Sequence, residues 1–319
     1  MLGLMQDWPL LCHRIIDHAA INAGERPVIS RSIEGPMHKT NYAEIRSRAL
    51  RVAQRLERDG VRLGDRIATL GWNTWRHLES WYGILGIGAV YHTVNPRLFT
   101  DQIAWIINHA EDRAIMADVT FLPILEKIAD RIPTIERTIV YCDAAHMPAT
   151  SLRNAVPYEE WLAEADGDFA WKSFDENTAA GMCYTSGTTG NPKGVLYSHR
   201  SNVLHAMTAL RPDMIGLSGT DIAMPVVPLF HANGWAIGFA ETTRAKIALS
   251  LISGHAAWGV LLFGLSLVAW AARYNVDRMA RARATGVFRV RKVHHVGTAV
   301  ADRNRGSGVL GQEPAPHVR

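Results

Sequence analysis

The sequence predicts an α/β fold in which parallel strands form a sheet covered by helices on both faces. Three observations carry this. Short apolar runs alternate with helical stretches of ten or more residues, which parallel strands need for their crossovers. The apolar runs are bounded by turn residues, as buried strands are. A glycine-rich stretch follows one such strand directly and precedes a helix, and ligands of these sheets sit beyond the carboxyl ends of strands.

The elements follow in order. "TNYAEIRSRALRVAQRLERDG" reads as a helix, because Tyr42, Ile45, Ala49, Val52, Ala53 and Leu56 recur at helical spacing and Gly60 stops it. "DRIATLG" is a short apolar strand ending in a turn glycine. "WRHLESWYGILGIGAV" returns to helix, and "YHTVNPRL" is extended until Pro96 breaks it. "DQIAWIINHAED" is helical, "RAIMAD" a strand, "FLPILEKIADRIP" helical and "RTIVYCD" a strand. "AAGMCYTS" runs from strand into loop, with "HRSNVLHAMTAL" as the helix behind it.

Composition bounds the rest. The chain has 319 residues, enough for one large domain or two ordinary ones, and 48% hydrophobic against 20% charged content is that of a folded protein. Three cysteines, Cys12, Cys142 and Cys183, are few and far apart. They predict a reducing compartment, with neither a disulfide frame nor a zinc site. The N-terminus lacks a basic n-region and interrupts its apolar run with Asp7 and His13, so no secretory signal is expected and the cytoplasm is the expected location. The net charge of +4 divides unevenly: residues 241–319 carry 12 Lys+Arg against 4 Asp+Glu, leaving 22 against 26 in residues 1–240. The basic tail has no aromatic interleaving and no nucleic-acid module, so no nucleic-acid partner is predicted.

"YTSGTTGNPKGV", from Tyr184 to Val195, concentrates the chemistry. Gly187, Gly190 and Gly194 permit positive φ and close backbone approach to a ligand. Thr185, Ser186, Thr188 and Thr189 add hydroxyl donors, and Lys193 adds a charge. Many donors, little bulk and one cation suit a polyphosphate. The common P-loop pattern is excluded, since Pro192 precedes Lys193 and Gly194 follows it. The competing reading is a glycine-rich surface turn with a solvated lysine.

The twelve-residue string closely resembles the phosphate-binding signature of the adenylate-forming (AMP-binding) superfamily. "PVVPLFHANGW", Pro225 to Trp235, resembles a second stretch of its acyl-CoA synthetases. From Trp8 to Ala240 the chain is similar to medium- and long-chain fatty acid–CoA ligases. The resemblance implies a two-step reaction. A carboxylate attacks the α-phosphate of MgATP to give an acyl-adenylate and pyrophosphate, and CoA as co-substrate then displaces AMP. No enzyme nucleophile is required, so the protein positions and stabilises charge. By residue-for-residue carry-over, Thr185, Ser186, Gly187, Thr188, Thr189, Gly190 and Lys193 would hold the β- and γ-phosphates. His231 would line the acyl and adenylate pocket as the catalytic candidate; taken alone it reads as a core histidine. Phe230 and Trp235 read equally as pocket wall or core. Asn95 and Pro96 read as structural and Cys183 as inert packing. The resemblance carries over no protein ligand for a metal.

After Ala240 the expected family signatures do not continue. Ile247 to Ala272 has no Asp, Glu, Lys or Arg and is flanked by Arg244, Lys246 and Arg273, which satisfies the rule for a membrane span. The other reading is a shifted reading frame. The expected division is therefore a partial AMP-binding domain over 1–240 and a non-family tail over 241–319, with a transmembrane or apolar helix at 247–272. The expected function is that of a fatty acid–CoA ligase, truncated and inactive. The alternatives are another carboxylate-activating enzyme, such as an aryl acid ligase or adenylation domain, or a membrane-tethered nucleotide-binding non-enzyme.

Overall fold

The structure is a computed structural model. It describes residues 1–249 except 2, 6, 33, 36, 186–190, 220, 226, 232, 235–238 and 240–245. In chain order the elements are α1 (His13–Ala23), β1 (Pro27–Arg31), β2 (Met37–Asn41), α2 (Tyr42–Arg58), β3 (Arg66–Leu70) and α3 (Trp75–Gly86). Next come β4 (Val90–Thr93), α4 (Thr100–Ala110), β5 (Asp112–Ala117), α5 (Leu122–Glu126), β6 (Arg137–Val140) and β7 (Ala155–Pro157). Last are α6 (Tyr158–Ala163), β8 (Ala179–Tyr184), β9 (Gly194–Ser198), α7 (His199–Ala209), β10 (Ile222–Ala223) and β11 (Lys246–Leu249).

Seven strands form one sheet in the order β7-β6-β5-β3-β4-β8-β9. Every pairing in it is parallel except β8 with β9. Alternate side chains of the central strands face two cores, as a sheet covered on both sides requires. Ile67, Met116 and Ile139 pack with α1, α2, α3 and α6, while Ala68, Leu70, Ile115, Ala117 and Val140 pack with α4 and α5. A second sheet has the order β10-β11-β1-β2.

Local chemistry sets the helix ends. Asn41 caps α2 by accepting the Glu44 N–H at 2.9 Å, and Arg55 and Arg58 lie in its last turn, where the dipole favours cations. Thr74 and Ser198 cap α3 and α7 in the same way. Every residue of α3 is buried. That explains one difference from expectation: the apolar run does not end at Gly86, so its pattern reads on as helix to Val90. The chain instead turns at Gly88, at φ 78, and enters β4. The helix expected over 121–133 is one α-turn flanked by 3-10 turns at Val119–Phe121 and Ala129–Arg131. Pro123 falls in the first turn of α5, where it is tolerated, and Pro133 bars helix beyond Ile132.

Salt bridges tie the second sheet's first turn to the helical layer. Arg76 on α3 bonds Glu34, between β1 and β2, at 2.9 Å and Glu159 on α6 at 2.7 Å. Arg48 on α2 bonds Glu159 at 2.9 Å and the fully buried Glu79 at 2.7 Å. Ile247 to Leu249, the first residues of the expected apolar helix, form strand instead, because β1 and β10 take up their backbone groups on either side. Residues 250–272 lie outside the described residues. Among the described residues no helix is long and apolar enough to cross a membrane.

Gly83 lets α3 lie against α2: a Cβ there would meet Val52 Cγ1 at 2.4 Å and the Ala49 carbonyl oxygen at 3.0 Å. Gly→Ala in a helix interior ordinarily stabilises by about 1 kcal/mol. Here Gly83→Ala is expected to destabilise instead, by about 1–3 kcal/mol of overpacking. Urea denaturation of the two proteins reads the sign directly; a more stable variant would show that the α2–α3 contact is loose.

Candidate active site

β8 and β9 are the arms of a hairpin whose connection is the glycine-rich stretch. Its base is closed by Thr185, whose N–H donates to the Lys193 carbonyl at 3.0 Å. The Thr185 hydroxyl lies 3.4 Å from the Lys193 N–H. Of the seven residues expected to bind phosphate, Thr185 and Lys193 are therefore brought together at the neck, and Lys193 is exposed. Ser186, Gly187, Thr188, Thr189 and Gly190 lie outside the described residues. Because β8 runs parallel to β4, the neck stands at the edge where β3 and β4 also end. β9 itself was missed in the sequence, since "NPKGV" reads as part of one turn.

Tyr184, the residue before the neck, is half-buried, and burial pushes its phenol up to about 12. Its hydroxyl lies 2.7 Å from His109 Nδ1 on α4, and its ring spans the hairpin to Gly194, where a Cβ would meet it at 3.2 Å. His92 on β4 packs beside the same ring and bonds Asp112 through Nδ1 at 2.7 Å. Both members of that pair are fully buried, and burial pushes the Asp112 carboxyl up. Cys183 is buried and burial pushes its thiol up too, which fits packing rather than nucleophilic chemistry.

The second motif segment folds as turns. His231 N–H donates to the Pro228 carbonyl and Gly234 N–H to the His231 carbonyl, each at 2.9 Å. Phe230 is buried against Trp72, with ring centroids 6.1 Å apart, whereas His231 is exposed. Trp235 lies outside the described residues. Asn95 closes its own turn by accepting the Arg97 N–H at 3.0 Å, in keeping with a structural role. Sequence reading missed Trp72, Asn73 and Thr93, which reach this segment from the ends of β3 and β4.

Among the described residues one group has metal-ligand spacing: Glu34, Asp143 and His146, with ligand atoms within 4.8 Å of one another. It does not suit the Mg²⁺ of a nucleotide at the hairpin. Glu34 already bonds Arg76, and Asp143 bonds His146. Asp143 also follows β6, which lies four strands from β8, or roughly 19 Å at about 4.8 Å per strand.

A family model described as AMP-binding enzyme matches residues 16–262, which extends past β11. The chain is 48% identical over 240 residues to 3-methylmercaptopropionyl-CoA ligase of Ruegeria pomeroyi, covering 75% of this chain and 44% of that protein. It is 42% identical over 250 residues to the medium-chain-fatty-acid–CoA ligase of Ectopseudomonas oleovorans, covering 78% and 46%. The crystal structure of a long-chain-fatty-acid–CoA ligase from Archaeoglobus fulgidus superposes with a TM-score of 0.66 at 22% identity, covering 78% of this chain and 49% of that one. That likeness speaks for the fold alone. The chain spans less than half the length of the curated relatives it matches.

Directly after β5, facing the turn that follows β3, lies a carboxylate whose protonation is testable. Asp118 is buried and accepts the Trp72 N–H at 2.5 Å, yet burial outweighs that bond and pushes its carboxyl up to about 7. An unfolded aspartate titrates near 3.9. Between these values the folded protein holds a proton that the unfolded chain has lost. Asp118 therefore favours folding below about pH 4, and that contribution is lost as pH rises through about 7. The buried His77 and His13, both held down to about 4 by burial, act in the opposite direction. The informative quantity is thus a difference: Asp118→Asn is expected to gain on wild type by on the order of 2–4 kcal/mol from pH 4 to pH 7. Denaturant midpoints measured across that range check it, and parallel curves would exclude the raised carboxyl.

Proposed function

The chain belongs to the AMP-binding enzyme family, and from that premise we propose that it carries the phosphate-binding half of a carboxylate–CoA ligase. The observation that carries this is the hairpin neck: Thr185 and Lys193 close a glycine-rich connection at the carboxyl end of β8, next to a segment held from β3 and β4. In the reaction, MgATP and a carboxylate give an acyl-adenylate and pyrophosphate, and CoA then takes the acyl group. Thr185, Ser186, Gly187, Thr188, Thr189, Gly190 and Lys193 hold the β- and γ-phosphates, with N–H and hydroxyl donors and one cation offered to dispersed negative charge. His231 stands on the acyl side, beside Phe230. The carboxylate is an aliphatic one, a reading supported by the names of relatives at 42–48% identity.

Residues 241–319 contain no stretch resembling the groups that hold ribose, Mg²⁺ and the α-phosphate in the family. The 319-residue chain is therefore proposed to bind phosphates without appreciable turnover. Its location is proposed to be cytoplasmic, in keeping with three buried free thiols, with residues 250–272 as the stretch by which it would associate with a membrane.

Calorimetry with inorganic triphosphate tests the hairpin: Lys193→Ala is expected to weaken binding roughly tenfold or more, as loss of a charge-assisted bond does. Thioester formation from octanoate, MgATP and CoA is expected to fall at least about 10²–10³-fold below that of a full-length relative. Robust thioester formation by this chain, abolished by Lys193→Ala together with Thr188→Ala, would refute the proposed lack of turnover.

A further inference from the structure

Asn73 sits in the turn between β3 and α3, buried, and its carboxamide is spent entirely on a segment more than 150 residues away. Nδ2 donates to the carbonyl oxygens of Pro225 and Val227, at 3.1 Å each. Oδ1 accepts the Leu229 N–H at 2.7 Å. An amide offers two N–H groups on one side and an acceptor on the other, and this segment takes both donors and one lone pair of the acceptor. A carboxylate would face two carbonyl oxygens, a glutamine is one methylene longer, and a serine spans only one side.

The surroundings fix Asn73 in turn. Asp118 holds the Trp72 N–H, and the His77 ring lies 3.0 Å from the Trp72 carbonyl oxygen through Nδ1. Gly71 leaves no room for a side chain, since a Cβ there would meet the Tyr141 ring at 2.9 Å and Asp118 at 3.2 Å. At the far end of the segment, Thr93 donates to Asn233 Oδ1 at 2.8 Å, and both Asn233 and Gly234 have positive φ. Irregular backbone without a ladder takes its geometry from such side-chain bonds.

We propose that Asn73 is the positioning residue for the segment Pro225–His231, setting where Phe230 and His231 stand relative to the phosphate-binding hairpin. This rests on the carboxylate-activating reading and deepens it: the acyl side of the site depends on Asn73, and the phosphate side does not. Asn73 touches no substrate. It acts through the backbone it holds.

The test uses the 319-residue chain. Hydrogen exchange of the Leu229 amide is expected to quicken roughly tenfold to a hundredfold in Asn73→Ala, as loss of a buried hydrogen bond allows. Gly83→Ala, whose added methyl meets Val52 and Ala49 on α2, should leave exchange at Leu229 unchanged relative to its neighbours. Octanoate affinity should fall in Asn73→Ala while inorganic triphosphate affinity is kept, a split that general destabilisation would not give. If Asn73→Ala does not fold, Asn73→Asp keeps the size and the acceptor for Leu229 while setting a carboxylate oxygen against the two carbonyl oxygens in place of the donations, with quickened exchange through Val227 expected. Unchanged exchange in both variants, or equal loss of both ligands, overturns the proposal. If the wild type binds neither ligand, the carboxylate-activating reading fails, and the exchange result still decides whether Asn73 positions the segment.

Discussion

A parallel sheet buried on both faces has little choice about where it meets a ligand. With α1, α2, α3 and α6 on one side and α4 and α5 on the other, backbone and side chains become free only where strands end. β3, β4 and β8 end at the same edge, and each delivers one part of the site there: Trp72 and Asn73, then Thr93, then Thr185. The two motif segments are separated by 30 residues or more of chain, and the sheet is what gives them a common frame. Strand register therefore bears directly on the candidate site. A slip of one residue at β4 would turn Thr93 to the other face.

Much of this was legible in the sequence because much of it is local. α2 announces itself through spacing and Gly60; β3 and β5 do so as apolar runs bounded by turns. The hairpin residues stood out because three glycines, four hydroxyl side chains and a lysine crowd one short stretch. Legibility failed where context outranked pattern. α3 is buried on all sides, so periodicity could not mark its end. β1 and β2 are short, and β2, "MHKTN", carries no apolar run. β9 hid inside a glycine-rich motif whose second half is extended. Asn73 was invisible for a different reason. A polar residue in a turn is unremarkable until the segment that consumes its hydrogen bonds is seen, and that segment lies far along the chain.

The buried charges show a similar division of labour. Arg76 and Arg48 join the β1–β2 turn, α2, α3 and α6 through four carboxylate contacts, of which those of the buried Arg76 and Glu79 would be the costliest to break singly. Asp118 feels Arg76 and Glu34 of that network, but its bonded partner is an N–H rather than a cation. One set of charges fixes how layers meet, and the other shapes a turn.

The pairing of β11 with β1 has a consequence in time. Val28 pairs with Ile247, so β1 has only its β2 edge filled while more than two hundred further residues emerge from the ribosome. At about 5–20 residues per second, that edge stays open for roughly 10–45 s. Throughout that interval the β1–β2 hairpin is a template for any extended segment that passes, its own or another chain's. The strand that completes this first sheet is thus among the last of the described residues to be made.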